Sequence, residues 1–524
     1  MNILIVVFIL RGPFIYEAYE DSILKGVFKE KIKGYEDTFR GEFLNIKVNS
    51  DVTPYLQNEE QIIVNPLNPD NLVAVWRDFR LGYRQVGVGY SFNKGYTWTD
   101  KLLGYNLSPY PWDSDPGITC DKYGNFYAVV LSFKQIGDSN ALCVYRSFDG
   151  GVNWDGPYIA VGPSYSNFED KELITCDRTN SPYSGNLYIS WTRFWETNIY
   201  LVRSTNQGIT WSYPVRVSDL SDNQWSVPAV DKNGYVHVFW LNYYYSAIMH
   251  DVSYNGGLTF GQDNIVQYVD EPDRYLNGNI LTFSYPVPVC DIYPSSPYYG
   301  TIYVIYMDTG PGGDPDIFLT KSLDGGFTWT QRKRVNDDPV GNGLDQFHPW
   351  ACVDSTGILT VCFYDRRLYS NNWKFDLFLT QSFDGGETFT PNIRVTTVSI
   401  NPDSFRAGVI GEYIGLDSYA GIPFPLWTDT RNGNQDAYFG YYVEQKISER
   451  NNLNRKISFI FGNNYIRIYN RDNYGKIEIF GISGRKPGEI KLKKGENKIV
   501  LDLSSSTYFL KFGKEIYKVL KIKP

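Results

Sequence analysis

Two sets of charged residues recur along this 524-residue chain where their types and spacing suit chemistry. One set leads into short apolar runs. Glu59 and Glu60 precede IIVN, Asp113 and Asp115 precede ITCD, and Glu169, Asp170 and Glu172 precede a second ITCD. Asp345 and His348 precede ACVD, and Glu412 precedes IGLD. The other set closes apolar runs: WRDFR carries Asp78 and Arg80, FYDRR carries Asp365, Arg366 and Arg367, and WTDTR carries Asp429 and Arg431. Paired carboxyl groups can divide acid and base duties in glycoside cleavage when one is held protonated beside an ionised partner. Guanidinium groups pair bidentately with carboxylates, so the arginines suit an anionic sugar. Asp78, Asp365, Asp429, Glu60 and Glu412 are therefore candidates for catalysis. Arg80, Arg367, Arg431, Asp115, Asp170 and Asp345 are candidates for ligand contact. A second reading stands beside the first: Asp-x-Arg recurs from unit to unit, and a recurring pair also suits a loop pin. The three histidines, His237, His250 and His348, have no metal-ligand spacing, so no zinc site and no cofactor are expected. An acidic rim is compatible with a structural calcium, although no loop shows an EF-hand pattern.

The elements that would position these residues are repeats. Ser-x-[Asp/Asn]-x-Gly-x-[Thr/Asn]-[Trp/Phe] occurs six times, from Ser91, Ser147, Ser204, Ser253, Ser322 and Ser382, at steps of 56, 57, 49, 69 and 60 residues. Such a period signals a repeat architecture. Asp or Asn bonds its own backbone, Gly supplies a positive φ, and the closing ring starts the next strand. Each copy reads as the stiff turn of a β-hairpin. Upstream lie seven apolar strands ending in Asp or Asn, at Asn65, Asp121, Asp177, Asp231, Asp291, Asp354 and Asp417. Seven strand starts against six turns leave the last unit one strand short. NIKVNSD (Asn45–Asp51) resembles the strands that follow the other turns and can close the ring, which also protects its edges. Seven units are expected, with six as the alternative. The carboxylates before first strands and the Asp-x-Arg groups after second strands should then share one face, opposite the octapeptides. Trp112, Phe347, Trp350, Trp373 and Tyr413 lie nearby in sequence and suit a glycan or another polar ligand.

The octapeptides closely resemble the Asp-box (BNR) repeats of sialidase-like β-propellers, over roughly residues 45–445. The resemblance implies an all-β propeller; activity has to come from the site, because such repeats also occur in non-enzymatic propellers. Sialidases use an arginine triad, an Asp acid/base and a Tyr–Glu nucleophile pair. Here the first-strand stretch EEQIIVNP has no arginine, Arg80 resembles the second triad member, and LGYRQVG lacks the acid/base Asp. Arg366 and Arg367 with Asp376, and Arg431 with Asp436, come closer to the pattern but lie in the wrong units for it. The expected function is a propeller that binds an extracellular glycan or protein ligand. The alternatives are a glycoside hydrolase acting through rim carboxylates and a structural adhesion protein.

Composition separates a tail from the repeats. Residues 447–524 hold 17 Lys and Arg against 7 Asp and Glu, whereas the whole chain carries −8. Such asymmetry marks a second module. A polar linker is expected over 446–455 and a small β-sandwich over 456–524. KIEIFGISGRK, with Gly484 and Arg485, and the terminal YKVLKI resemble the C-terminal sorting domain of type IX secretion. SSSTYF departs from that family by lacking a glycine before its aromatic. The resemblance implies passage through the type IX machinery to the exterior or surface of a Gram-negative-type bacterium. Residues 1–18 resemble a secretory signal, although no Lys or Arg precedes the apolar run. That run is too short to span a bilayer. The tail's basic residues alternate with apolar ones and lack a stacking platform, which argues against nucleic acid. A monomer without a transmembrane span is expected.

Overall fold

The computed structural model describes residues 43–104, 106–134, 139–164, 167–404 and 410–443, and the backbone strands of the tail. The leader expected over 1–18 and the linker expected over 446–455 lie outside the described residues. The chain divides into two compact units, residues 1–443 and 444–524.

The first unit is a seven-bladed β-propeller of antiparallel four-stranded sheets. The inner strands are Gln57–Asn65, Trp112–Cys120, Phe168–Cys176, Asn223–Val230, Val287–Cys290, Gln346–Val353 and Gly415–Tyr419. Second strands are packed between blades on both faces, so they read as near-continuous apolar runs; Phe126–Phe133 (FYAVVLSF) is an example. Each of four second strands buries a tryptophan at the same position: Trp76, Trp191, Trp240 and Trp427. Tyr306 and Phe363 fill that place in two more blades. Large rings suit the widening space between blades, and their burial dominates the energetics there.

The ring closes through strand exchange. Phe43–Lys47 is the outermost strand of the seventh blade and pairs with Asp436–Tyr442, with Asn45 opposite Gly440. The closing strand covers Phe43–Lys47 where Asn45–Asp51 was expected, so it ends four residues short; Phe43 packs edge-on to Tyr442 at 5.4 Å. Asn45 also donates to the Val395 carbonyl of the preceding blade at 2.9 Å. The 3₁₀ turn Pro402–Ser404 is the one helical element among the described residues, and none of their helices could cross a membrane.

Each octapeptide turns between a third and a fourth strand and follows one bonding scheme. In the second, Ser147 Oγ donates to Asp149 at 3.0 Å, Gly151 N donates to Ser147 Oγ at 3.0 Å, and Asn153 N donates to Asp149 at 2.8 Å. In the fifth, the bonds within Ser322, Asp324, Gly326 and Thr328 are 2.8, 2.8 and 2.9 Å. Basic side chains fasten neighbouring blades to these turns: Arg146 donates to the Gln207 carbonyl, Arg203 to Gly256 and Lys321 to Gly385. Asp149→Ala or Asp324→Ala should therefore cost about 0.5–2 kcal/mol of stability, as loss of a side-chain cap does. Chemical denaturation measures this; an unchanged midpoint for both variants would remove the octapeptides as staples. All six cysteines are free thiols, including Cys352 and Cys362 of one blade.

The tail unit contains two antiparallel sheets. One pairs Ile457–Gly462, Tyr465–Asn470 and Gly495–Val500; the other orders Gly488–Lys491, Lys476–Gly481, Thr507–Phe512 and Glu515–Leu520. Residues 482–487, with the expected Gly484–Arg485 turn, lie outside the described residues.

Candidate functional site

Six residues before the Asp or Asn that ends each inner strand, the chain does something unusual. The residues there are Glu59, Asp115, Lys171, Trp225, Tyr285, His348 and Gly411. Six of the seven have positive φ: 58°, 48°, 57°, 63°, 45° and 85° for Glu59, Asp115, Lys171, Trp225, His348 and Gly411. In five blades the ladder slips here, between Asn58 and Gln61, Ser114 and Gly117, Asp170 and Leu173, Gln224 and Val227, and Phe347 and Trp350. These are β-bulges, which re-aim a side chain and gather beside functional sites. Only Gly411 fits its own place: a Cβ there would meet Glu59 N at 2.8 Å.

The bulged side chains meet at the propeller axis. Lys171 of blade three forms ion pairs with Asp115 of blade two, at 2.8 Å, and with Glu412 of blade seven. Blade three reaches blade seven only across the channel. The Lys171 ammonium also stands 5.1 Å from the Trp225 ring, and Trp225 stacks on Tyr285 at 5.4 Å. Tyr413 donates to the Pro116 carbonyl at 3.2 Å, another bond across blades two and seven. Arg77 pairs with Glu59 at 3.3 Å and donates to Asn58 at 2.8 Å.

Acid outweighs base in this cluster. Asp170 and Glu172 are fully buried, and no side chain donates a hydrogen bond to either carboxyl group. Burial drives Asp170 up to about 7 despite Lys171, and it raises Glu172 well above the usual carboxylate range, with Asp115 and Asp170 adding to the rise. Burial also raises Glu59, against the pull of Arg77. Asp115 goes the other way: burial opposes its charge, but Lys171 and Arg77 outweigh burial and hold it below the usual range. Lys171 likewise resists desolvation because Asp115 and Glu412 surround it, and its value is raised. Carboxyl groups pushed toward the protonated form thus stand beside one, Asp115, pulled toward the ionised form.

The other expected residues are placed differently. Glu60 is buried and accepts from Thr428 at 2.9 Å. Asp345 pairs with Arg366 at 3.5 Å. The orientation expected for Arg80, Arg367 and Arg431 is corrected. All three turn outward, toward outer strands, and away from the axis. Arg80 bridges Asp78 and Asp100 at 2.7 and 2.8 Å. Arg367 is held by Asp365, Asp337 and Asn392. Arg431 joins Asp429, Thr397 and Asn45. The reason is local. Asp78, Asp365 and Asp429 each accept the backbone N–H two residues later, which bends the chain and lays the guanidinium back on the same carboxylate. Trp76 and Trp427 donate to Asp78 and Asp429 as well. The three aspartates proposed for catalysis are thereby bonded as loop pins. Sequence reading passed over Lys171, Trp225 and Tyr285; counting six residues back from each strand-ending Asp would have found them. Among the described residues no group of three or more His, Cys, Asp or Glu side chains is arranged to hold a metal ion.

No family model matches the chain, and no curated protein matches it. Solved structures do. A Hadza microbial sialidase is 14% identical over 59% of this chain and 63% of its own, with a TM-score of 0.42; the match spans less than two thirds of that protein. The leech intramolecular trans-sialidase, complexed with 2,7-anhydro-Neu5Ac, is 12% identical over 69% of this chain and 71% of its own, TM-score 0.45. The Penicillium chrysogenum α-L-arabinanase, complexed with arabinobiose, is 14% identical over 65% of this chain and 96% of its own, TM-score 0.41. At these identities the likeness concerns the fold alone.

Proposed function

We propose that this propeller binds a neutral glycan at the axial end of the channel-mouth face. The observation that carries this is the bulged ring, where five carboxyl groups face two cations and no side chain donates to Asp170 or Glu172. Protonated carboxyl groups donate and ionised ones accept, which suits the hydroxyls of a sugar. Trp225 and Tyr285, both buried, line the ring with apolar walls. The acidic excess disfavours an anionic sugar, and the arginines that would have welcomed one are engaged elsewhere. The test is a glycan array with wild type, Asp115→Asn and Glu172→Gln, each checked for its melting temperature. Neutral glycans should bind wild type and be lost by both variants. Sialoside binding abolished by changing Arg80, Arg367 and Arg431 to Ala would sink the reading.

Hydrolysis is the second reading. It is favoured by Asp115, held ionised, beside Asp170, raised to about 7. Release of 4-methylumbelliferone from a panel of neutral glycosides, lost in Asp115→Asn, would support it; no turnover across the panel would leave binding alone.

We also read the chain as exported, on the resemblance of its basic tail to type IX sorting domains. A chain ending at Gln445 should still melt cooperatively, yet stay inside a host that uses that route. Normal surface delivery of the shortened chain would refute the sorting role.

A further inference from the structure

An aromatic track leads outward from the axial ring across one sector of the same face. Trp225 packs on Phe283 at 4.6 Å. The Arg274 guanidinium covers both Phe283 and Tyr243, at 5.1 and 5.7 Å. Tyr243 donates to Gln224, next to Trp225, at 3.0 Å. Beyond Tyr243 the rings emerge into solvent: Tyr244 is 73% exposed, Tyr245 41%, Trp195 59%, Tyr268 61% and Tyr275 50%. Backbone bonds make these loops one ridge. Asn223 N donates to the Thr197 carbonyl at 3.0 Å, Tyr243 N to Asp222 at 2.8 Å, and Val269 N to Ser246 at 2.8 Å. Trp195, Thr197, Asp222 and Ser246 are all held at positive φ, so the presentation of the rings is fixed by strained backbone. Elsewhere on this face, among the described residues, Tyr83 is the one other exposed aromatic ring.

We infer that this ridge is an extension subsite and that the ligand is a neutral oligosaccharide, with one end in the axial ring and its chain running over Tyr243–Tyr245 toward Trp195. The inference rests on the glycan reading above and deepens it. Rigid Tyr and Trp rings give wide amphipathic contact with little loss of side-chain freedom. Exposed Glu196, Asp270 and Asp273 lie among them. Charge is depleted at the core of a protein–protein interface, so a protein partner fits this mixture poorly. Carboxylates that accept from hydroxyls fit a sugar chain well, and they repel a polyanion.

The test is calorimetric titration with β-1,4-gluco-, β-1,4-xylo- and α-1,5-arabino-oligosaccharides of one to about six units. Wild type, the double variant Trp195→Ala/Tyr244→Ala and the ring variant Glu172→Gln are compared. For the series that binds, wild-type affinity should climb about tenfold or more with length, as added ring contacts accumulate. The ridge variant should keep its affinity for the shortest binding member and lose the climb. Glu172→Gln should lose every length. A ridge variant that matches wild type at all lengths overturns the inference and leaves the axial site standing. Wild type that binds no length in any series overturns the glycan reading and the inference together. A concentration-dependent mass in sedimentation, abolished in the ridge variant, would assign the ridge to a second copy of this chain and overturn the inference as well.

Discussion

Lys171→Met is expected to lower the unfolding free energy by about 3–5 kcal/mol, the range for removing one partner of a buried ion pair. The ammonium is buried between Asp115 of the adjoining second blade and Glu412, which reaches it across the channel from the seventh. Without it two buried carboxyl groups face each other with only Arg77 nearby. The loss should depend on pH, and the sign follows from Asp115. In the wild type its folded value lies below its unfolded one, so the stability it contributes is present above the unfolded value and fades as pH falls. In the variant desolvation remains and the attraction is gone, so its folded value rises. Protonation then relieves the variant. The deficit should be largest near neutral pH and shrink toward pH 4.5. Urea denaturation at both values measures it. An equal deficit at the two pH values would mean that Lys171 does not act through its charge beside Asp115.

The architecture was legible because its signals are local and repeated. Ser-x-Asp-x-Gly fixes a hairpin turn whatever surrounds it, and seven strand endings against six turns gave the blade number. The axial ring was half legible. Glu59, Asp115, Asp170, Glu172 and Glu412 stood out as polar residues at the heads of apolar strands, and topology alone brought them to one face. Lys171, Trp225 and Tyr285 did not stand out, because a lysine among acids and two aromatic residues in an aromatic-rich chain carry no signal by type. For Lys171 and Trp225 the role comes from the bulge, which re-aims one side chain in each of five blades; Tyr285 holds the equivalent place without one. The arginines failed for a different reason. Asp-x-Arg says that a pair will form, but the Asx turn decides which way it faces, and the decision lies in backbone torsions. Asp78, Asp365 and Asp429 each capture the N–H two residues on. That sends Arg80, Arg367 and Arg431 to the outer strands.

The propeller is expected to be more stable near pH 5 than near pH 7.5, against the usual trend for paired carboxylates. Two opposed sets of buried groups decide this. Burial, reinforced by His237, holds His250 well below its ordinary value. Burial lowers His348 to about 4, although the Leu281 carbonyl pulls the other way. A depressed imidazole stabilises above its unfolded value and loses that contribution as pH falls below about 6.5. For His348 the loss between pH 7.5 and 5 is about 2 kcal/mol. The carboxyl groups have the opposite sign. Burial raises Asp113 and Asp170 to about 7, and raises Glu60 and Glu172 well above the ordinary range. Their contribution is full below their unfolded values and is lost as pH climbs through the folded ones. Asp113 and Asp170 each gain on the order of 2–3 kcal/mol between pH 7.5 and 5. Four such carboxyl groups against two imidazoles leave acid ahead. A thermal melt taken from pH 4.5 to 8 should peak on the acid side of neutrality, and Asp170→Asn should flatten the decline above the peak. A melting temperature that climbs steadily from pH 5 to 7.5 would mean that the imidazoles prevail, and that the axial carboxyl groups are hydrated and ionised in the folded protein. The acid/base pairing of Asp115 with Asp170 would then fall with it, since that pairing needs one of the two to keep its proton near neutrality.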